Sequence, residues 1–134
     1  MLEVPYSTSY NPSAPVLSLT LRLPGDNNTV GPVPAIVDTG ADATLIPVAY
    51  LRRLGAPIWD EAYLRSQWGE RRRIYTYLLD ICIDTLSLPG IVVVGDDQGQ
   101  EIILGRTALN KLILLLDGPQ TTLHILSQIP HHLE

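Results

Sequence analysis

Phenylalanine is absent from this 134-residue chain, and cysteine occurs only once. Without Phe, the interior of any fold must be filled by Leu, Ile and Val. The single cysteine, Cys82, excludes a disulfide within the chain, and its position in an apolar run predicts a small buried side chain. The length predicts one domain, and 46% hydrophobic residues are enough to give that domain a core.

An excess of positive charge and a long apolar run are missing as well. The net charge is −5, whereas a nucleic-acid binder needs a basic field to displace counterions, so we expect no nucleic-acid partner. The longest apolar run, residues 112–116, is too short to cross a bilayer, and residues 1–15 lack the apolar segment of a secretory signal. These features predict a cytoplasmic protein with no membrane partner.

Residues in the spacing of a metal site are also absent. His124, His131 and His132 have no Cys or acidic partner at ligand spacing, which predicts solvated histidines. The acidic residues within 96–101 lack the alternating positions of a calcium loop. We therefore predict that the protein holds no metal.

Short apolar segments between turn residues predict an all-β domain. We predict strands at 16–23, 33–37, 91–94 and 101–104, hairpins at 63–83 and 112–125, and helices at 47–54 and 106–111. Residues 24–32 and 95–100 are expected to be loops. Pro47 suits the first position of a helix and Gly55 the position just past its end. An extended N-terminal arm would cover 1–15, the domain 16–127, and a C-terminal tail 128–134.

Two motifs carry most of the functional information. Residues 35–47 read AIVDTGADATLIP, in which an apolar strand leads directly into Asp-Thr-Gly at 38–40. Residues 102–106 read IILGR, an apolar segment followed by Gly105 and Arg106. In their order, spacing and flanking residues, both motifs resemble those of the retropepsins, the retroviral-type aspartic proteases. The hairpin at 112–125 extends past the end of the viral enzymes and is more similar to cellular and bacterial single-domain members.

This resemblance, which covers about residues 16–125, implies both a fold and an activity. The fold would be a closed, twisted β-barrel with one or two short helices, assembled as a C2 homodimer. The activity would be hydrolysis of peptide bonds in a polypeptide substrate without a cofactor. Cleavage of an amide needs one carboxyl group to take a proton from water and another to give one to the carbonyl oxygen. Because the chain has a single Asp-Thr-Gly, the second carboxylate would come from a second copy.

The resemblance also assigns roles near the first motif. The catalytic set would be Asp38, Thr39 and Gly40, with the Thr39 hydroxyl bonding across the two-fold axis. Gly40 has no Cβ, so a substrate backbone could approach closely. Asp42 and Arg106 would form a brace under the turn, which we expect to be mostly buried and therefore costly to break.

Further substrate-binding residues are expected in the turn and in the hairpin at 63–83, which would act as a flap. The predicted substrate-binding residues are Gly40, Ala41, Asp42, Trp68 and Gly69. The flaps of retropepsins carry several glycines, whereas this tip has Gly69 alone, which should adopt the unusual backbone angles of the turn. Trp68 either closes a substrate pocket or packs on the outside of the sheet. For the arginines at 65 and 71–73, a solvated basic face is favoured over substrate selection.

Two other functions are compatible with the sequence. A non-catalytic peptide-binding or dimerisation module on the same fold is favoured by the glycine-poor flap tip, whereas the intact Asp-Thr-Gly favours catalysis. An unrelated all-β binding domain would have to carry the first motif by chance, and Gly105 and Arg106 would then be coincidental.

Overall fold

The computed structural model describes residues 1–65 and 68–129, and this part of the chain is mostly β-strand. The elements in chain order are β1 (Leu2–Pro5), β2 (Val16–Arg22), β3 (Thr29–Val37), β4 (Thr44–Pro47), α1 (Val48–Leu54), β5 (Asp60–Arg65), β6 (Arg71–Ile83), β7 (Leu86–Asp96), β8 (Ile102–Leu104), α2 (Arg106–Leu109), β9 (Ile113–Asp117) and β10 (Thr122–Leu126). In these residues no helix is long and apolar enough to span a membrane.

Seven of the strands form one sheet that closes into a barrel. The strand order is β2-β3-β8-β4-β7-β6-β5, and β2 also pairs with β6. This second pairing, which sets Leu21 opposite Ile81, joins six strands into a closed ring and leaves β5 outside as an edge strand. The predicted all-β barrel with one or two short helices is therefore confirmed, and the structure describes two of them.

Alternation along the strands fills the barrel without any phenylalanine. In β2 the side chains of Leu17, Leu19 and Leu21 are fully buried, while the residues between them face outward. Opposite them, β6 buries Leu79 and Ile81. The core is thus built from Leu, Ile and Val with a few alanines, as the composition predicts. Cys82 is only half-buried, so the prediction of a buried thiol is wrong.

A second sheet of three strands has the order β1-β10-β9. Leu123 and Ile125 of β10 are buried against the core, and each pairs with an apolar residue of β1, Val4 and Leu2 respectively. The first part of the predicted N-terminal arm is therefore a paired strand. Strand β9 forms an outer edge of this sheet.

Two strands are longer than predicted because their turn-forming residues lie in bulges. β3 begins at Thr29 instead of 33, and the register against β2 shifts so that Gly31 and Pro32 fall at the irregularity. Likewise β7 runs through Pro89 and Gly90, which lie opposite a register shift in β6. Proline cannot donate to a ladder but is tolerated at such positions.

Helix α1 ends where predicted and begins one residue later than predicted. Gly55 closes α1 in a left-handed conformation with φ of 67°, as predicted, whereas Pro47 is the last residue of β4 and the N-cap of the helix. His131 and His132, and most of the predicted tail at 128–134, lie outside the described residues.

Candidate active site

Asp38 follows the last residue of β3, and the backbone fixes its position. β3 runs parallel to β8 with Val37 opposite Leu104. The Asp38 N–H donates to the carbonyl of Leu104 at 3.1 Å, and the Val37 N–H donates to the carbonyl of Pro15 at 3.0 Å. These two hydrogen bonds fix the backbone of Asp38 directly after the end of a barrel strand.

The residues after Asp38 form a tight turn around its carboxylate. The Gly40 N–H donates to Asp38 Oδ1 at 3.0 Å, and the Ala41 N–H donates to the Asp38 carbonyl at 3.2 Å. Asp38, Thr39 and Gly40 are all exposed. A Cβ at position 40 would lie 3.2 Å from Asp38 Oδ1, so glycine keeps this approach to the carboxylate open.

The second motif packs directly beneath this turn. The Arg106 N–H donates to the Ala41 carbonyl at 2.9 Å. A Cβ on Gly105 would lie 2.1 Å from the carbonyl oxygen of Ala43 and 2.9 Å from that of Ala41. Only glycine fits here, because the neighbouring atoms belong to the backbone and cannot rotate away.

We predict that Gly105→Ala destabilises the protein by about 3 kcal/mol, because the turn must move to admit the methyl group. The measurement is urea unfolding followed by circular dichroism. Gly118→Ala is the matched control, since a Cβ at that position meets no atom within 4 Å. Equal stability of the two variants would contradict the close packing described here.

The side chain of Arg106 holds the same turn from outside. Its Nη1 donates to the carbonyl of Thr39 at 2.8 Å, and its Nη2 donates to Asp42 Oδ1. The predicted contact between Asp42 and Arg106 is therefore confirmed. The expectation that this pair is mostly buried is wrong for the single chain, because the two side chains are 90% and 45% exposed, respectively. The position of the two residues in the sequence motifs predicts their contact, but it does not predict how exposed their side chains are to water.

Because the pair is exposed, Arg106→Ala should lower the free energy of unfolding by only about 1 kcal/mol. Loss of the bond to the Thr39 carbonyl should instead misplace the turn and lower the peptide cleavage that the resemblance implies, with kcat/KM falling by about 10²-fold. Arg73→Ala, which breaks another exposed ion pair, is the control and should leave cleavage unchanged. A loss of stability above about 3 kcal/mol would show instead that a buried charge has been stranded.

A buried threonine pair, which the sequence analysis did not identify, joins the two motifs. Thr44 is fully buried, and its Oγ1 lies 2.8 Å from Thr107 Oγ1. Thr44 Oγ1 also accepts the Gly105 N–H at 3.1 Å, and Thr107 Oγ1 accepts the Thr44 N–H at 3.2 Å. The sequence does contain a signal for this pair, because Thr44 directly precedes the apolar residues Leu45 and Ile46. A hydroxyl buried with them needs a hydrogen-bond partner.

The predicted flap lies in β5 and β6, at one edge of the seven-stranded sheet, whereas the Asp38 turn follows β3. β5 pairs with β6 from Asp60 opposite Thr76 to Arg65 opposite Arg71, so the predicted hairpin is confirmed. Gly69 has φ of +82°, as predicted for the turn, and Trp68 is exposed. The contribution of Trp68 and Gly69 to substrate binding remains a prediction, as does that of Ala41 and Asp42.

Comparisons with known proteins agree with the fold and the motifs. The chain belongs to the family described as "gag-polyprotein putative aspartyl protease", whose model matches residues 24–111. No curated protein sequence matches the chain.

Two solved structures show that the fold is retropepsin-like. A retropepsin-like aspartic protease from Rickettsia conorii is 14% identical, with a TM-score of 0.61 over 91% of this chain and 86% of its own. The retroviral protease-like domain of Ddi1 from Leishmania major is 17% identical, with a TM-score of 0.51 over 84% and 90%. At these identities the likeness establishes the fold alone.

Proposed function

We propose that the protein is an aspartic endopeptidase that hydrolyses peptide bonds with a pair of Asp38 carboxylates from two identical protomers. One observation carries the proposal. The exposed carboxylate of Asp38 is held on a turn at the end of a barrel strand and accepts the Gly40 N–H, in a chain of the aspartyl protease family.

The need for a second copy follows from the acids near the turn. Asp42 is the other carboxylate of the motif, and Arg106 binds it, so it is engaged in holding the turn. Two carboxyl groups that share one proton supply both the base and the acid of amide hydrolysis, because like charges about 3 Å apart cannot both ionise easily. A two-fold axis beside Asp38 would bring two such groups together.

The outer edge of β9 offers a surface for this second copy. β9 pairs only with β10 in the described sheet, and its apolar residues Ile113, Leu115 and Leu116 are partly exposed. Exposed apolar edge strands are usually protected in monomers, since they pair readily with another chain. β9 follows α2, which begins directly after Gly105, so this edge is linked closely to the Asp38 turn. We propose antiparallel pairing of β9 with β9 of the partner.

In the dimer, a water held between the two carboxylates would be the nucleophile. The ionised Asp38 would take a proton from that water, while the protonated Asp38 of the other copy would give its proton to the carbonyl oxygen of the peptide. The Thr39 hydroxyl would bond across the two-fold axis, and Gly40 would allow the substrate backbone to approach. The β5–β6 hairpin would close over the peptide as a flap.

The test is a comparison of peptide-library cleavage by the wild type and by Asp38→Asn, with the products identified by mass spectrometry. Cleavage by the wild type alone supports the proposal. Binding of peptides without cleavage by either protein would support the non-catalytic module instead.

A further inference from the structure

Four of the nine basic residues lie within positions 65–73, although the chain has a net charge of −5. Pairing of β5 with β6 sets Arg65 directly opposite Arg71. Like charges in that position destabilise a strand pair, so the stability of the hairpin does not explain them.

Arg73 differs from the other three arginines because the hairpin itself satisfies it. Its Nε lies 3.0 Å from Glu61, and a hydrogen bond to Tyr75 together with the charge of Glu61 raises the pKa of Arg73 above its usual value. The Arg71 guanidinium lies 4.7 Å from the centre of the Tyr63 ring. A stacked guanidinium keeps its N–H groups directed outward around the ring plane, so they can still bind an anion.

The other arginines line a cavity of about 520 Å³ at the end of the hairpin. Its lining residues are Leu64, Arg65, Glu70, Arg71, Arg72 and Gln98. Three arginines and one glutamate give this lining a formal charge of +2. Leu64 adds an apolar wall, so the cavity suits a side chain with a short apolar stem and a negative end.

The carboxylates near the cavity leave part of this positive charge available. Arg72 Nη1 lies 3.7 Å from Asp97 Oδ1, and the two side chains are 42% and 71% exposed, respectively, so the pair is partly screened by solvent and weak. Within residues 1–65 and 68–129, no carboxylate forms an ion pair with Arg65.

The cavity is also connected to the candidate active site. Gln98 belongs to the loop between β7 and β8, and β8 ends at Leu104, whose carbonyl accepts the Asp38 N–H. Six residues of chain separate Gln98 from Leu104, and they span at most roughly 20 Å, which is the length of about six residues of an extended peptide. A substrate at Asp38 could therefore reach the cavity with a side chain some positions away from the cleaved bond.

We infer that this cavity binds an Asp or Glu side chain of the polypeptide substrate, so that Arg72, with Arg65 and Arg71, makes the enzyme prefer acidic segments. The inference rests on the proposed function, since it assigns the substrate of that same site. Guanidinium groups suit this role because their planar fork binds a carboxylate through two parallel hydrogen bonds.

Binding is measured with Asp38→Asn protein, which removes cleavage from the experiment. The probes are a fluorescein-labelled peptide that alternates Glu with Ala and a matched peptide with Gln in place of every Glu. Fluorescence anisotropy should show about tenfold tighter binding of the Glu peptide at low salt, and the difference should shrink at high salt. Adding Arg72→Gln should remove most of this preference.

Two variants separate a specific site from a general effect of charge. Arg73→Gln removes the same charge from the next residue of β6, outside the cavity, and should change the preference less than about twofold. Asp97→Asn should strengthen binding of the Glu peptide, because it releases Arg72. Equal binding of the two peptides, or equal effects of Arg72→Gln and Arg73→Gln, would overturn the inference.

The wild-type enzyme provides an independent measurement. Its kcat/KM should favour library peptides with Asp or Glu near the cleaved bond, and Arg72→Gln should remove that preference while cleavage of neutral peptides continues. If the wild type cleaves nothing, the proposed function fails, whereas the binding result still decides the inference about the cavity. If cleavage occurs without any acidic preference, only the cavity inference fails.

Discussion

Replacing Asp38 with Asn is expected to abolish peptide cleavage while leaving the fold intact. The amide oxygen of Asn can still accept the Gly40 N–H bond that Asp38 Oδ1 accepts at 3.0 Å, so the turn should keep its shape. An amide can neither take a proton from water nor share one with a second carboxylate. We expect kcat/KM to fall by at least about 10³-fold, measured on a peptide that the wild type cleaves.

Asp26→Asn is the matched control for this variant. Asp26 is also an exposed aspartate in a turn, and its Oδ1 accepts the backbone N–H groups of Asn27 and Asn28. This substitution removes the same charge from the same kind of local hydrogen bond but should leave cleavage unchanged. Cleavage at the wild-type rate by pure Asp38→Asn protein would rule out the dyad, and circular dichroism would show whether both variants are folded.

The sequence predicted the contacts of the site better than it predicted their surroundings. Asp42 and Arg106 are 64 positions apart, yet their contact could be expected because two family motifs placed them on either side of one turn. Similarly, the clash that a side chain at Gly105 would cause explains why that motif contains glycine. A motif can predict which residues are in contact, because the need for that contact restricts the residue types at both positions.

Burial and strand pairing were less accessible to sequence analysis. The exposure of Asp42 and Arg106 depends on what covers them, and a single chain leaves them open to water. β3 and β7 were predicted too short because Pro and Gly normally mark turns, whereas here the opposite strand takes up the irregularity. The pairing of β1 with β10 joins residues more than a hundred positions apart, and strands of four and five residues carry little periodicity.

The arginines of the β5–β6 hairpin are a further case in which the sequence did not predict the surroundings of a side chain. From the sequence, a solvated face was the favoured interpretation of its arginines, since charge runs commonly face solvent. The structure separates them, with Arg73 bound to Glu61 and Arg72 lining a cavity that Arg73 does not line. Register within a hairpin decides which side chains share a face, and it depends on the position of the turn.

The second large effect is expected at the edge of β9, where Leu115→Lys should prevent assembly of the proposed dimer and with it the proposed peptide cleavage. Leu115 is the middle residue of β9, so antiparallel pairing about a two-fold axis would place it close to its own copy. Two lysines there would repel each other, and a single lysine already disfavours edge-to-edge pairing. The dimer dissociation constant should rise by at least about tenfold, which corresponds to 1.4 kcal/mol.

Sedimentation velocity over a dilution series measures this constant, and cleavage measured on the same samples should follow the dimer fraction. Val92→Lys is the control, because Val92 is 41% exposed, against 39% for Leu115, but lies in β7 of the seven-stranded sheet, opposite Leu78 of β6. Its assembly and activity should match those of the wild type. In the proposed dimer each chain would bring one Asp38 to the dyad, so excess Asp38→Asn protein mixed with the wild type should also inhibit cleavage by forming mixed dimers. A fully active monomer, or a Leu115→Lys variant that dimerises as the wild type does, would show that the partner docks elsewhere or is not required.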